Sequence, residues 1–127
     1  AAVSLILAQR LARKNCPDCR VPDEDVTPKA LSDMGFTPEQ ASRAKVSKGK
    51  GCPKCKDSGY KGRTGIYEIL NVTKPLKEAI LRQCTTPELK EIAIKEGFRT
   101  MQDMGRQMLI SGDLNFREYD RVLQSDS

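Results

Sequence analysis

Four of the five cysteines stand as two matched pairs, NCPDCR at residues 15–20 and GCPKCK at 51–56. Cys16, Cys19, Cys52 and Cys55 read C-x2-C-x32-C-x2-C. Two residues between thiols let one tight turn aim both sulfurs at a common point, and two such turns supply the tetrahedral set that structural zinc takes. Proline follows the first cysteine of each pair and narrows the turn before any ion arrives. The chain has no histidine, so mixed Cys/His shells are excluded and four thiolates are the one complete set. Such a shell has no open position: it fastens a loop and does not activate water. Two disulfides or free buried thiols are the competing readings, and iron is the alternative ion for the same shell. No secretory signal is visible, which disfavours disulfides. The fifth cysteine, Cys84, falls in a helical pattern and reads as a small buried hydrophobe.

Other chemistries are missing. No G-x-x-x-x-G-K-[ST] phosphate loop exists; GKG at 49–51 lacks its spacing and its Ser or Thr. Without histidine there is no Ser-His-Asp or Cys-His arrangement. Asp23 and Asp25 lie in a polar, proline-rich loop and read as solvated turn residues. The chain alone is therefore not expected to be a complete enzyme.

The elements that must carry these groups can be read from period and caps. At 127 residues, with 38% hydrophobic and 31% charged content, the chain suits one small domain with a modest aliphatic core. Three Tyr, three Phe and no Trp leave Leu, Ile, Val, Met and Ala to pack it, and a metal staple would assist. The net charge of +5 permits contact with nucleic acid, phosphate or an acidic protein and singles out none. No apolar run is long enough for a transmembrane helix. The opening AAVSLILAQRLARKN has no basic region before its apolar start and reads poorly as a signal peptide. The missing initial Met suggests a piece of something longer.

Residues 1–14 fit either a helical face or a buried strand. Between the cysteine pairs, Thr27 with Pro28 and Gly35 bounds one short helix, and Thr37 with Gln40 forms the capping box of another. VSKGKG at 46–51 reads as a basic loop. Residues 56–70 read as a β segment, with Gly59 and Gly62 permitting turns. The remainder reads as four short amphipathic helices: Thr73 caps the first, Thr86 the second, Thr100 precedes the third, and Asn115 caps the last with Glu118 in the capping-box position. Met101, Met104, Met108 and Leu109 share a face assigned to core packing. The Lys/Glu mixture at 88–96 reads as a solvated face. The fold class expected is α+β and mostly helical: a tetracysteine module at 15–70 with a helical insertion and a β segment, then a helical subdomain at 71–127.

LAQRLARKNCPDCR at 7–20 and GCPKCKDSGYKGRTGIYEIL at 51–70 together resemble the C-terminal part of the secretion and pilus assembly ATPases. In that family A-Q-R-L-x-R runs into the first CxxC, and G-C-x-x-C is followed by G-Y-[KR]-G-R-x-G-[IL]-x-E. SGDLNFREYDRVLQ near the end resembles the family's closing G-x-x-[ST]-x-x-E-x-x-R-V, with Asn115 where Ser or Thr is usual. The resemblance implies a parent that is a hexameric cytoplasmic ATPase docked on the inner membrane. ATP and Mg2+ would bind upstream of residue 1, and zinc would sit in the tetracysteine module. It makes residues 1–14 the end of the ATPase core, favouring a strand near 5–11. Assembly and secretion fit better than pilus retraction, whose ATPases lack the module. The resemblance places Arg63, in GRTG, near nucleotide phosphates, where a guanidinium spreads positive charge over a phosphoryl group; a turn arginine pairing Glu68 is the bland reading. Arg10 and Arg13 would line a subunit interface. The implied partners are neighbouring subunits and membrane-embedded assembly proteins.

The first rival is a zinc ribbon for nucleic acid, supported by Lys48, Lys50, Lys54, Lys56, Lys61 and Arg63. Its spacer is long, and only Tyr60 and Tyr67 are nearby to stack bases. The second is a zinc module like that of the J-domain co-chaperones, which CPKCKDSGY partly resembles. Asp57 replaces a glycine there, and one degenerate copy stands for four repeats.

Overall fold

A computed structural model describes residues 3–124 of the chain. Its first element is a long strand, β1 (Val3–Asn15), so the strand implied for the opening segment is found and extends to the first cysteine pair. The chain turns through Cys16–Cys19 into β2 (Arg20–Pro22) and then two single-turn helices, α1 (Pro28–Asp33) and α2 (Pro38–Arg43). Both helices start as read: the Thr27 hydroxyl accepts from the Ala30 N–H, and Thr37 and Gln40 make a reciprocal capping box. Each has proline in its first turn, where the missing N–H costs nothing. The expected basic loop at 46–51 is partly a strand: β3 (Ser47–Gly49) pairs antiparallel with β2, Val21 opposite Lys48.

A 3-10 turn (Pro53–Cys55) then leads into β4 (Tyr60–Val72), which pairs with β1. Gly62, at φ +78 within β4, takes a conformation open to glycine at no steric cost. Gly49 and Gly59 meet backbone to backbone: a Cβ on Gly49 would lie 1.9 Å from the Gly59 carbonyl oxygen. Only glycine lets the two strands that flank the second cysteine pair approach this closely.

Four helical segments follow: α3 (Lys74–Leu81), α4 (Thr86–Lys95), α5 (Met101–Ser111) and α6 (Phe116–Tyr119), the last running into a π-helical turn at Asp120–Gln124. The α+β class holds, with two small two-stranded sheets among the described residues. Four details differ from expectation. The cap of α4 is Thr85, whose hydroxyl accepts from the Glu88 N–H; Thr86 is the first helical residue. Thr73 precedes α3 but does not cap it by side chain, because its hydroxyl donates to Glu96 at 2.6 Å. Cys84 is half-buried in the link after α3, not within a helix. On α5 the buried positions are Gly105 and Leu109, while the three methionines are only half-buried.

Contacts divide the described residues into two units that do not follow chain order. Residues 3–9 and 67–104 form one, with α3 and α4; residues 10–66 and 105–124 form the other, with all four paired cysteines and α6. The first unit buries Leu76, Ala79 and Ala93 on the facing sides of its helices. The second has a larger core, including Leu31, Phe36, Ile66, Leu109, Leu114 and Tyr119; the Phe36 and Tyr119 rings lie 6.2 Å apart in a tilted pair.

Candidate metal centre

The turns on either side of the insertion bring the four cysteines to one point. Their Sγ atoms all lie within 4.8 Å of one another. The Cys16–Cys52 and Cys19–Cys55 separations are 3.8 Å, and Cys52–Cys55 is 3.7 Å. Sulfurs on a tetrahedron about 2.3 Å from a central zinc stand about 3.8 Å apart. A disulfide would need about 2.05 Å, so these thiols are free. The four cysteines can hold a metal ion, and the spacing matches a tetrahedral four-sulfur shell.

The backbone around the sulfurs is arranged for anionic ligands. The Gly51 N–H points at Cys19 Sγ from 3.2 Å, and those of Cys52 and Gly59 at Cys55 Sγ from 3.3 Å each. Lys56 and Asp57 adopt left-handed conformations, φ 55 and 59, to close the second turn. The turns are also tied to each other: Cys16 N–H donates to the Gly59 carbonyl and Lys50 N–H to that of Cys19. Burial pushes the Cys19 thiol up to about 12, with the neighbouring thiols adding to it. Burial opposes ionisation of Cys55 as well, but the Gly59 and Cys52 N–H groups outweigh it and bring that thiol down to about 6. A divalent cation held by the four sulfurs would supply the positive charge that favours their thiolate forms.

A second cluster lies in the same unit, and the sequence reading missed it. Glu118, fully buried, does not complete the capping box with Asn115. Asn115 does accept from the Glu118 N–H at 2.7 Å, but the carboxylate turns to two arginines. It accepts from the Arg13 backbone N–H at 2.6 Å, from Arg13 Nε and Nη2 at 3.3 and 3.1 Å, and from Arg121 Nε and Nη2 at 2.8 and 2.7 Å. The Arg121 and Arg13 hydrogen bonds overcome burial and hold its carboxyl at about 2. The Arg13 guanidinium also lies 4.1 Å over the Tyr60 ring, and the Tyr60 hydroxyl accepts from Asn115 Nδ2 at 2.9 Å. An acid at the third helical position ordinarily reads as a cap. Only its burial, and a β1 residue more than a hundred positions away, reveal the other role.

Arg63 is exposed on β4 and pairs with no described residue; Glu68, its alternative partner, instead accepts from the Met101 N–H at 3.4 Å. Arg63 lines a cleft of about 610 Å³ with Leu11, Arg13 and Arg121. Several of the basic residues near the cysteines face acids: Lys54 and Lys61 approach Asp18 at 3.6 and 4.0 Å, and Lys48 lies 3.9 Å from Asp23 and 4.0 Å from Asp25. Asp23 is mostly buried rather than solvated, and its carboxylate accepts from the Asp25 N–H. The Tyr60 ring, one of the two aromatic candidates near the cysteines, is covered by the Arg13 guanidinium.

An α+β fold with two cysteine turns aimed at one point defines the chain as a protein with a four-sulfur cluster that could hold a metal ion. The family description "Type II/IV secretion system protein" matches residues 1–121, and the chain belongs to that family. It is 37% identical over 118 residues to the type IV pilus assembly ATPase PilB of Myxococcus xanthus, covering 93% of this chain and 21% of that protein. The PilB of Pseudomonas aeruginosa is also 37% identical, over 121 residues, 95% of this chain and 21% of the relative. The type II secretion system protein E of Aeromonas hydrophila is 34% identical over 122 residues, 95% of this chain and 23% of its own length. The chain thus spans about a fifth of the curated relatives it matches.

Proposed function

We propose that this chain is the zinc-stapled C-terminal module of an ATPase that drives type IV pilus assembly or type II secretion. The observation that carries the reading is the four-sulfur cluster with tetrahedral spacing and N–H groups aimed at its sulfurs. Relatives named as pilus assembly ATPases and secretion proteins across nearly the whole chain support the parent's class. Zinc bound by Cys16, Cys19, Cys52 and Cys55 supplies no reactive position; it fixes the two turns and the strands leaving them. The module's work is mechanical: it stiffens the protomer and presents surface to neighbouring subunits and to membrane-embedded assembly proteins. ATP and Mg2+ belong to the rest of a hexameric parent, cytoplasmic and peripheral at the inner membrane. Among the described residues no helix is long and apolar enough to cross a membrane. Arg63, exposed and unpaired among the described residues, is the residue of this module assigned to nucleotide phosphates in the assembled parent. The notion of separate modules at 15–70 and 71–127 stays part of this proposal.

Elemental analysis of the purified chain tests the reading. Stoichiometric zinc, lost on replacing Cys52 by Ser, is the expected result. A folded protein without bound metal, or a mass showing joined sulfurs, would overturn it. In the full-length protein, Arg63→Ala should lower ATP hydrolysis while the zinc content stays unchanged.

A further inference from the structure

We propose that Glu118 is a positioning residue, which fixes Arg13 and Arg121 beside Arg63 to make one oxyanion-binding cleft. The proposal rests on the reading of Arg63 above and adds to it the residues that shape the site. Arg13, Arg63 and Arg121 line the cleft with Leu11, and the Glu118 carboxylate shared by Arg13 and Arg121 is fully buried. The Arg13 and Arg121 side chains remain about half exposed, 47% and 54%. Glu118 therefore grips two side chains that each keep part of their surface in solvent.

The grip is closed on itself. Arg13 is held by its backbone N–H and guanidinium on Glu118 and by its guanidinium over Tyr60. The Tyr60 hydroxyl accepts from Asn115, and Asn115 caps the helix that carries Glu118. Both ends of the loop leave the cysteine turns: Arg13 lies three residues before Cys16, and Tyr60 five after Cys55. Long, flexible guanidinium side chains ordinarily lose rotamer entropy on binding an anion; here two of three are ordered beforehand. The chemical class that fits is a doubly or more highly charged oxyanion of phosphate type, which planar guanidinium groups meet with paired N–H donors.

Charge alone and positioning predict opposite signs, which makes the test direct. The probe is inorganic pyrophosphate, titrated into the zinc-loaded chain and followed by the Nε–H signals of the arginines. Native protein should bind it, and Arg63→Ala should abolish binding. Glu118→Gln raises the positive charge of the cleft, yet binding should weaken about tenfold, with loss of the protected Arg13 and Arg121 signals and no change in zinc content. Arg13→Lys keeps the charge but not the fork and should also weaken binding; this variant decides the matter should Glu118→Gln fail to fold. Arg43→Ala, on α2, is the control for general charge. Tighter or unchanged binding in Glu118→Gln, or unchanged binding in Arg13→Lys, overturns the role of Glu118 and leaves the Arg63 reading standing. No pyrophosphate binding by the native chain overturns the cleft itself, while absence of zinc would instead sink the proposed function.

Discussion

Residues 10–66 with 105–124 are held by polar anchors: four converging sulfurs, a buried carboxylate between two arginines, and backbone bonds that join the turns to the tail. Asn15 N–H donates to Asp113, Asn15 Nδ2 to Gly112 and Ser47, and Arg20 to Gly112. Residues 3–9 with 67–104 are held mostly by aliphatic contact between α3 and α4, with Leu76 and Ala79 at 1% exposure and Ala93 at 7%. The α3 and α4 unit also leaves apolar side chains in solvent: Val3, Leu5, Ile6 and Leu7 on β1 are 45–62% exposed, and Leu81 is 82% exposed. The contrast teaches how one short chain builds two kinds of order. Apolar burial is non-directional and tolerates substitution by similar shapes. Ligation and charged hydrogen bonds are directional, and they hold groups at set positions even where little apolar surface is available.

The comparison should break most forcefully at the proposed metal site. Replacing Cys52 by Ser, or stripping the ion with a chelator, should collapse cooperative melting of the cysteine unit while amide exchange in α3 and α4 changes little. Structural zinc is worth about 10–16 kcal/mol in finger peptides with no other core; a unit that also buries Leu31, Phe36 and Tyr119 should lose less. Equal loss of protection in both units would show that they do not differ in this way.

Leu76→Ala is the converse cut. Leu76 is fully buried, and its truncation should cost about 2–5 kcal/mol. Thermal melting should fall while bound metal is retained. Loss of metal in this variant would erase the distinction.

Acid should sharpen the contrast next. The Glu118 carboxyl sits at about 2 in the folded chain and rises to its ordinary 4.5 on unfolding. A depressed acid stabilises fully above the unfolded value, and that contribution drains as pH falls from about 4.5 towards 2. Both arginines are half in water, so the loss should be about 1–2 kcal/mol, below the about 3–5 kcal/mol of a fully buried pair. Denaturant melts of the native chain and Glu118→Gln, taken at each pH, check it: the two should converge towards pH 2, with metal release common to both.

The smallest expected effect lies at the start of α4. Thr85→Ala should cost about 1 kcal/mol and Thr86→Ala much less, because only Thr85 accepts from the helix. Reversal of that order in chemical melts would restore the cap read from sequence.

These cases show what was legible and what was not. The metal candidates were legible because the CxxC spacing is local: a turn of four residues aims its own sulfurs. The starts of α1 and α2 were legible for the same reason, since a cap bonds a backbone group only three residues away. Thr85 against Thr86 was missed because two threonines before a proline offer the same local signal. β3 was missed because Ser47–Gly49 has no strand pattern of its own and forms by pairing with β2.

From its residues alone the chain declared its α+β class and the four sulfurs that can share an ion, because both are written in short-range spacing; its family came by resemblance. The tertiary structure alone decided that Glu118 serves two arginines instead of its helix, that Gly49 and Gly59 must touch, and that α6 groups with the cysteines and not with α3 and α4. Those outcomes depend on which distant segments meet, and burial changes what a carboxylate or a glycine is for only after they have met.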